Sequence, residues 1–169
     1  MLSEKMQLAM NKQINAELHS AYIYQSMAAY FADKNLNGFA NWMDIQAQEE
    51  MIHARKFYDF VIERRGRVLL QPIEAVPTEW TSSLAVFENA FAHEQKITGM
   101  INDLMNLAVK EHDHASSSFL KWFVDEQVEE ESNADGIVQQ LKLIGDSGAT
   151  LFLMDRELGT RTLPPAGAE

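Results

Sequence analysis

Apolar side chains recur along four long stretches of the chain at alternating steps of three and four residues. This spacing places them on one face of an α-helix, which is then the buried face. The pattern predicts helices over residues 5–33, 38–65, 83–110 and 113–144. Ser3, just before the first helix, is a suitable N-cap. Because only a short turn at 35–37 separates the first two helices, we expect them to be antiparallel neighbours.

The segment between the second and third predicted helices sets the topology. Residues 66–82 lose the helical pattern, and Pro72 and Pro77 prevent a continuous helix there. A helix as long as residues 38–65 measures about 42 Å, whereas residues 66–82 can span roughly 56 Å when extended. We therefore expect this segment to cross the whole bundle and to make the second and third helices parallel. The predicted fold is all-α, a four-helix bundle with one long crossover.

The rest of the chain extends this bundle without adding a second domain. With 169 residues, 46% of them hydrophobic, the chain is long enough for one core. We expect a single domain over 1–169, with the bundle at about 5–145. An apolar stretch at about 149–158 predicts a short fifth helix, and the tail 159–169 is expected to be loose.

Polar residues interrupt all four apolar faces near the middle of each predicted helix. They are Glu17, Glu50 with His53, Glu94, and Gln127 with Glu130. Each lies within about three residues of its helix midpoint, so helices packed side by side bring them within roughly 5 Å of a common plane. Four carboxylates and one imidazole are therefore predicted to meet at the centre of the bundle.

This polar layer predicts a metal site. Burial of four unpaired carboxylates costs several kcal/mol each, and the apolar faces carry no Lys or Arg at that level. Two divalent or trivalent cations offset the cost, and oxygen-rich ligation with one nitrogen suits iron or manganese, with zinc as a competitor. A lone Glu on such a face is more often an ordinary polar group, but agreement between four helices argues against that explanation. His19 and His93 are expected to contact solvent or a partner.

Charge and composition exclude several classes of function. The net charge of -11, from 25 acidic and 14 basic residues, disfavours nucleic acid and anionic membrane as partners and favours cations. The chain contains no cysteine, which excludes disulfides, iron–sulfur clusters and thiol nucleophiles. It shows neither a leader peptide nor an apolar run of membrane-spanning length, so we expect a soluble cytoplasmic protein.

Four motifs are similar to those of the non-haem bacterial and archaeal ferritins, and the resemblance covers nearly the whole chain. They are residues 15–17 (NAE) with Tyr24, residues 48–54 (QEEMIHA), residues 93–94 (HE) and residues 121–131 (KWFVDEQVEEE). The resemblance implies a ferritin-like four-helix bundle in which Glu17, Glu50 and His53 hold a first iron. It further implies that Glu50 bridges to a second iron held by Glu94 and Glu130, with Gln127 beside it.

The resemblance also implies a third iron site and two aromatic neighbours. Glu49, Glu126 and Glu129 match the third site, which shares Glu130. The spacing of these residues allows one shared helix face, but by itself it is equally typical of a solvated run of charge. Tyr24 and Trp122 match aromatic residues beside the centre of similar proteins, where they supply an electron or a hydrogen bond.

Two positions bear on a comparison with the haem-containing bacterioferritins. The fourth helix carries Gln127-x-x-Glu130 where those proteins repeat Glu-x-x-His, so the second iron lacks an imidazole. Met51 stands where bacterioferritins use a methionine as a haem ligand between subunits. It also belongs to a second apolar face on the second helix, with Met43, Ala47, Tyr58 and Ile62. Packing explains it without haem.

The resemblance implies a ferroxidase that oxidises Fe(II) with dioxygen or peroxide and stores ferric mineral in a hollow homo-oligomer, in this family mostly of 24 subunits. The second apolar faces, including Ile23, Met27 and Tyr30 on the first helix, are expected to be subunit contacts. The alternatives are a rubrerythrin-like di-iron peroxidase and a haem-containing bacterioferritin. A scaffold without metal is a third interpretation.

Overall fold

The computed structural model describes residues 1–145 and 148–163, which form four long helices and one short one without any strand. The helices are α1 (Glu4–Asp33), α2 (Asn37–Glu63), α3 (Ser83–Lys110), α4 (His114–Ile144) and α5 (Gly148–Leu158). This confirms the predicted all-α class, and the predicted ends agree to within two residues. Among the described residues, no helix is long and apolar enough to cross a membrane.

Short polar residues cap three of the four long helices at their N-termini, including Ser3 as the sequence predicts. The Ser3 hydroxyl accepts from the Met6 amide at 3.0 Å, and the Ser82 hydroxyl accepts from the Ala85 amide at 3.1 Å. Asp113 accepts from the Ser116 amide at 3.1 Å in the same way. Each bond satisfies an amide that the first turn of a helix leaves without a partner.

Helix α2 takes its cap from the other end of the chain. Its own N-cap residue, Leu36, makes no side-chain capping bond. The Asp155 carboxylate of α5 instead accepts from the amides of Gly38 at 2.8 Å and Phe39 at 3.1 Å. A side chain on Gly38 would collide with the Asp155 backbone, since its Cβ would lie 1.5 Å from the carbonyl oxygen. The capping bond and the missing side chain together dock α5 closely against α2.

The crossover runs along the bundle as its length predicts. Asn11 near the start of α1 bonds the backbone at Arg67 and Leu69, while Tyr30 near the end of α1 bonds the carbonyl of Trp80 at 3.0 Å. The crossover therefore follows α1 and returns the chain to the end of the bundle where α2 begins. Helices α2 and α3 are parallel.

This path corrects one expectation about the second apolar faces. Ile23 and Met27 of α1 and Met43 and Ala47 of α2 are buried within the single chain and do not form exposed contact surfaces. The reason is the crossover, whose Val76 and Trp80 pack against the same core cluster. Only the far end of the face on α2 is open, where Met51 and Ile62 are each 51% exposed.

The start of the tail, which the sequence predicts to be loose from Gly159, makes hydrogen bonds to α2. Asn41 donates to the Arg161 carbonyl at 3.0 Å, and the Arg161 guanidinium donates to the carbonyl of Trp42 at 3.2 Å. Polar groups of α2 thus fix this stretch in a way that its composition does not reveal. Residues 164–169 of the predicted tail lie outside the described residues.

The apolar core consists of two clusters, one toward each end of the bundle. One surrounds Phe31, Phe39 and Phe87, and the other surrounds Met10, Phe57 and several further residues of α1, α3 and α4. Along every long helix, a gap separates the residues of the first cluster from those of the second. The predicted polar residues fall into these gaps.

Candidate metal centre

The structure brings the predicted polar residues together as a buried layer between the two apolar clusters. Glu17 of α1, Glu50 and His53 of α2, and Glu94 of α3 are at most 3% exposed. Gln127 and Glu130 of α4 are 4% and 5% exposed. Each long helix therefore contributes at least one carboxylate, because its polar residues lie on the same face as its apolar ones.

Glu17, Glu50 and His53 form the tightest group. One donor atom from each lies within 4.8 Å of the other two, and His53 Nδ1 is 3.5 Å from Glu50 Oε2. Glu17 Oε1 accepts from Gln13 Nε2 at 2.8 Å, but Glu17 Oε2 is buried and has no hydrogen-bond partner among the described residues. A buried carboxylate oxygen without a donor fits a cation bound between these three side chains.

Glu94 and Glu130 form the other side of the layer. Glu94 accepts hydrogen bonds from the hydroxyl of Tyr24 and from Gln127 Nε2 at 3.3 Å. Glu130 Oε2 accepts from Gln46 Nε2 at 2.8 Å. Gln46 Nε2 also lies 3.3 Å from Glu50 Oε1, so one amide joins a carboxylate on each side of the layer.

Burial controls the electrostatics of the layer. It is the largest cause that raises the pKa of Glu17, Glu50 and Glu130 well above the ordinary value, and repulsion from neighbouring carboxylates adds to it. Burial also raises the pKa of Glu94, although hydrogen bonds from Tyr24 and Gln127 oppose the shift. Ionised together, these groups repel each other in a poorly solvated space, and multivalent cations relieve that cost.

The three carboxylates expected only at the third site, Glu49, Glu126 and Glu129, have different surroundings. Glu126 Oε1 is 4.0 Å from His53 Nε2, and His53, Glu126 and Glu130 form a second group with donor atoms within 4.8 Å. Glu49 instead forms an ion pair with Arg161. Glu129 is exposed and belongs to neither donor group of the described residues.

Comparison with known proteins identifies the architecture. The family model described as the ferritin-like domain matches residues 7–144. The chain belongs to the ferritin family. A bacterial non-heme ferritin from Bacteroides fragilis is 45% identical over 161 residues, which cover 95% of this chain and 100% of the relative. One from Staphylococcus saprophyticus is 41% identical over 162 residues, or 96% and 97% of the two chains.

Solved archaeal structures agree with this ferritin assignment. The open pore ferritin from Archaeoglobus fulgidus is 51% identical, with a TM-score of 0.94 over 95% of this chain and 98% of that one. A closed form of the same ferritin, engineered by site-directed mutagenesis, gives a TM-score of 0.96 over 97% of this chain and 100% of that one. The family resemblance and the ferritin-like fold predicted from sequence are therefore confirmed.

His93 is buried in the structure, whereas the sequence analysis expects it to contact solvent or a partner. His93 is only 9% exposed, and its Nε2 lies 2.7 Å from the hydroxyl of Ser20. Burial, followed by the neighbouring His19, lowers the pKa of His93 to about 4. The expectation that His93 contacts solvent was wrong, because the side chain lies between α1 and α3, whereas contact with a partner stays a prediction. His19 is partly buried, and its Nε2 has no hydrogen-bond partner in the described part of the chain.

Three residues that support the layer were absent from the predicted site. Gln13 and Gln46 each lie four residues before a carboxylate that they bond, namely Glu17 and Glu50. That repeated spacing on the buried face is a sequence signal from which both glutamines can be found. Arg161, by contrast, lies 112 residues from Glu49, and no local pattern connects the two.

The predicted aromatic neighbours contact different parts of the layer. Tyr24 is fully buried and donates to Glu94. The Trp122 ring lies 5.5 Å from the His53 ring, and the ammonium of Lys56 lies 3.3 Å from the Trp122 ring centroid. Tyr24 thus touches a carboxylate of the layer directly, whereas Trp122 contacts it through the imidazole.

Proposed function

We propose that this ferritin chain oxidises Fe(II) in the buried polar layer and stores the ferric product inside a hollow homo-oligomer. The observation that carries the proposal is the meeting of Glu17, Glu50, Glu94 and Glu130 in one buried layer with His53. Membership of the ferritin family supports both parts of the proposal. Nothing in the comparisons favours a rubrerythrin-like peroxidase or a haem-containing bacterioferritin.

The two sides of the layer divide the substrate between them. Glu17, Glu50 and His53 hold one Fe(II), Glu94 and Glu130 hold the other, and Glu50 is shared. Each Fe(II) gives one electron to dioxygen, which takes up two protons and leaves as hydrogen peroxide, or to hydrogen peroxide, which becomes water. Carboxylate oxygens are hard donors that stabilise Fe(III) over Fe(II), and this preference favours the loss of the electron.

The two iron positions have different ligands, and this difference suits iron that leaves the layer after oxidation. Because residue 127 is a glutamine, α4 supplies no imidazole beside Glu130. The Gln127 amide donates instead to Glu94 and to the hydroxyl of Thr98, each at 3.3 Å. The second iron is then held by oxygen donors alone and is released more easily than the first. A third position, with Glu126, Glu130, Glu49 and Glu129, receives iron on its way out of the layer.

Storage requires an assembly, because a single bundle has no enclosed space for mineral. We propose a shell of 24 subunits, the number that the family resemblance implies. The exposed end of the apolar face on α2, at Met51 and Ile62, supports a contact between copies of the chain.

Aerobic iron loading of the wild type and a Glu50→Ala variant tests the proposal. Fe(II) is added in large excess over two ions per chain, oxidation is followed by absorbance, and iron is then measured across a size-exclusion profile. The wild type is expected to oxidise iron rapidly and to carry far more than two ions per chain in a large assembly. Glu50→Ala is expected to lose the rapid phase, because both iron positions lose their shared carboxylate.

Asp44→Ala is the matched control, since Asp44 is an exposed carboxylate on the same helix. It is expected to oxidise and retain iron as the wild type does. Uptake by the wild type that stops at two or three ions per chain in a small oligomer would contradict storage and support a di-iron oxidoreductase. An unchanged rapid phase in Glu50→Ala would contradict oxidation in this layer.

A further inference from the structure

The guanidinium of Arg161 lies against the edge of the polar layer. It donates through Nη2 to Glu49 and to Gln46 Oε1 at 2.9 Å. Its carbon centre lies 4.4 Å from the Trp42 ring centroid, within the range of a cation–π contact. The side chain is only 20% exposed, so the ion pair is well shielded from solvent.

The guanidinium also donates to the Trp42 carbonyl at 3.2 Å, and further bonds hold the Arg161 backbone in this place without involving its side chain. Asp155 caps α2, Asn41 bonds the Arg161 carbonyl at 3.0 Å, and the Gly159 amide bonds the Asp155 carbonyl at 3.0 Å. These bonds connect the end of α5 and the following residues to the first turns of α2. The packing of α5 and the following residues against α2 therefore places Arg161 beside Glu49.

Through Gln46, Arg161 also acts on the centre of the layer. The Gln46 side chain accepts from Arg161 at its oxygen and donates from its nitrogen to Glu50 and Glu130. The guanidinium has only donors, so it fixes the amide oxygen toward itself and the amide nitrogen toward the carboxylates. A single cation thus contacts Glu49 directly and orients the donor shared by Glu50 and Glu130.

We propose that Arg161 is a positioning residue that competes with iron for Glu49 and thereby keeps the third iron position transient. The proposal rests on the proposed function, which places Glu49 in that position. A carboxylate that pairs with a guanidinium cannot give its full charge to a metal ion, so iron at Glu49 must displace Arg161. When iron leaves, the docked guanidinium returns to Glu49, and the displaced ion passes inward.

Zinc binding to iron-free protein tests this directly, because Zn(II) uses the same donors and undergoes no oxidation. Calorimetric titrations of the wild type and Arg161→Gln give the number and affinity of ions per chain. Arg161→Gln is expected to bind the third Zn(II) about tenfold more tightly, the change expected when one shielded ion pair stops competing. The two tighter ions are expected to keep their affinities within about threefold.

Four further variants separate competition from a structural role. Arg156→Gln makes the same charge change at an exposed position of α5 that has no ion pair in the described residues, and it is expected to bind zinc as the wild type does. Glu49→Gln is expected to weaken the third ion strongly, and Arg161→Gln added to it is expected to have no further effect. Size exclusion checks that every variant assembles, and Arg161→Lys, which keeps the charge, is expected to stay within threefold of the wild type.

Several results would overturn the proposal. Equal third-ion affinity in the wild type and Arg161→Gln would show that Arg161 only anchors the tail, and weaker binding in Arg161→Gln would show that it helps to build the position. Two ions per chain in both proteins would remove the third position and the competition with it, while iron oxidation at the paired site would stand. A third ion that appears only in Arg161→Gln would support the proposal.

Discussion

At the scale of the residue, Glu17 shows what burial does to a carboxylate in the polar layer. One of its oxygens accepts from Gln13, the other has no donor among the described residues, and burial raises its pKa well above the ordinary value of 4.5. At a pH below 4.5, Glu17 is protonated in both the folded and the unfolded chain, so its burial does not lower the free energy of unfolding through a buried charge. Above the raised pKa it is ionised in both, and the folded protein bears the full cost.

Glu17→Gln is therefore expected to stabilise the iron-free protein at neutral pH. The gain is about 1–2 kcal/mol, or roughly 2–8 °C in Tm, and it shrinks as pH falls from the raised pKa toward 4.5. Calorimetry in the presence of a chelator, at pH 7.5 and in steps down to pH 5.5, measures it. Glu74→Gln, at an exposed site in the crossover, is the control and is expected to leave Tm unchanged. A lower Tm for Glu17→Gln at pH 7.5 would contradict the account.

At this scale, residues whose partners are local can be predicted from the sequence. Glu17, Glu50, Glu94 and Glu130 interrupt helical faces at matching heights, so the buried layer follows from periodicity and helix length. The burial of His93 cannot be predicted in this way, because Ser20, whose hydroxyl contacts its ring, belongs to a helix distant in sequence. The contacts of Arg161 are equally unpredictable from local sequence, since the docking of α5 brings it to its partners on α2.

At the scale of the element, the junction between α5 and α2 depends on the absence of a side chain. Gly38 lies in the first turn of α2, and a Cβ there would overlap the Asp155 carbonyl. The existence and ends of α2 and α5 are predictable from periodicity, but their contact is not. From the sequence, Gly38 is indistinguishable from an ordinary turn residue, and only the structure shows that α5 packs against it.

Gly38→Ala is expected to lower stability, although alanine ordinarily favours a helix over glycine by about 1 kcal/mol. The added methyl group forces α5 away from α2, which removes the Asp155 cap and exposes Met154 and Leu158. We expect a loss of about 2 kcal/mol or more in the free energy of unfolding, measured as a lower Tm.

Gly99→Ala is the matched control, because Gly99 also lies within a helix and a Cβ added there would meet only open space. It is expected to raise stability by about 0.5–1 kcal/mol. A Gly38→Ala variant as stable as Gly99→Ala would mean that α5 does not dock against α2 in solution.

At the scale of the whole molecule, the surface around Leu70 is the place where a second copy of the chain is expected to bind. Leu70 of the crossover is 63% exposed, and it lines an apolar groove with Leu18, Met51 and Tyr58. Polar residues on apolar helix faces predict the metal centre from sequence. A subunit contact is not predictable in this way, because the sequence does not show whether an exposed apolar residue is covered by another copy of the chain. Leu70→Glu is expected to break the proposed shell into small oligomers, seen by size exclusion and mass photometry, because it puts a charge into an apolar contact.

The same variant separates oxidation from storage. The proposed paired iron site lies within one bundle, so Leu70→Glu is expected to oxidise the first two Fe(II) per chain at close to the wild-type rate. Iron added beyond that amount is expected to precipitate, because no enclosed space receives it. Leu70→Met keeps the apolar surface and is expected to assemble and store iron normally. A Leu70→Glu protein that elutes with the wild type would show that this groove is not a subunit contact, whereas small oligomers that keep excess iron soluble would show that storage does not need the shell.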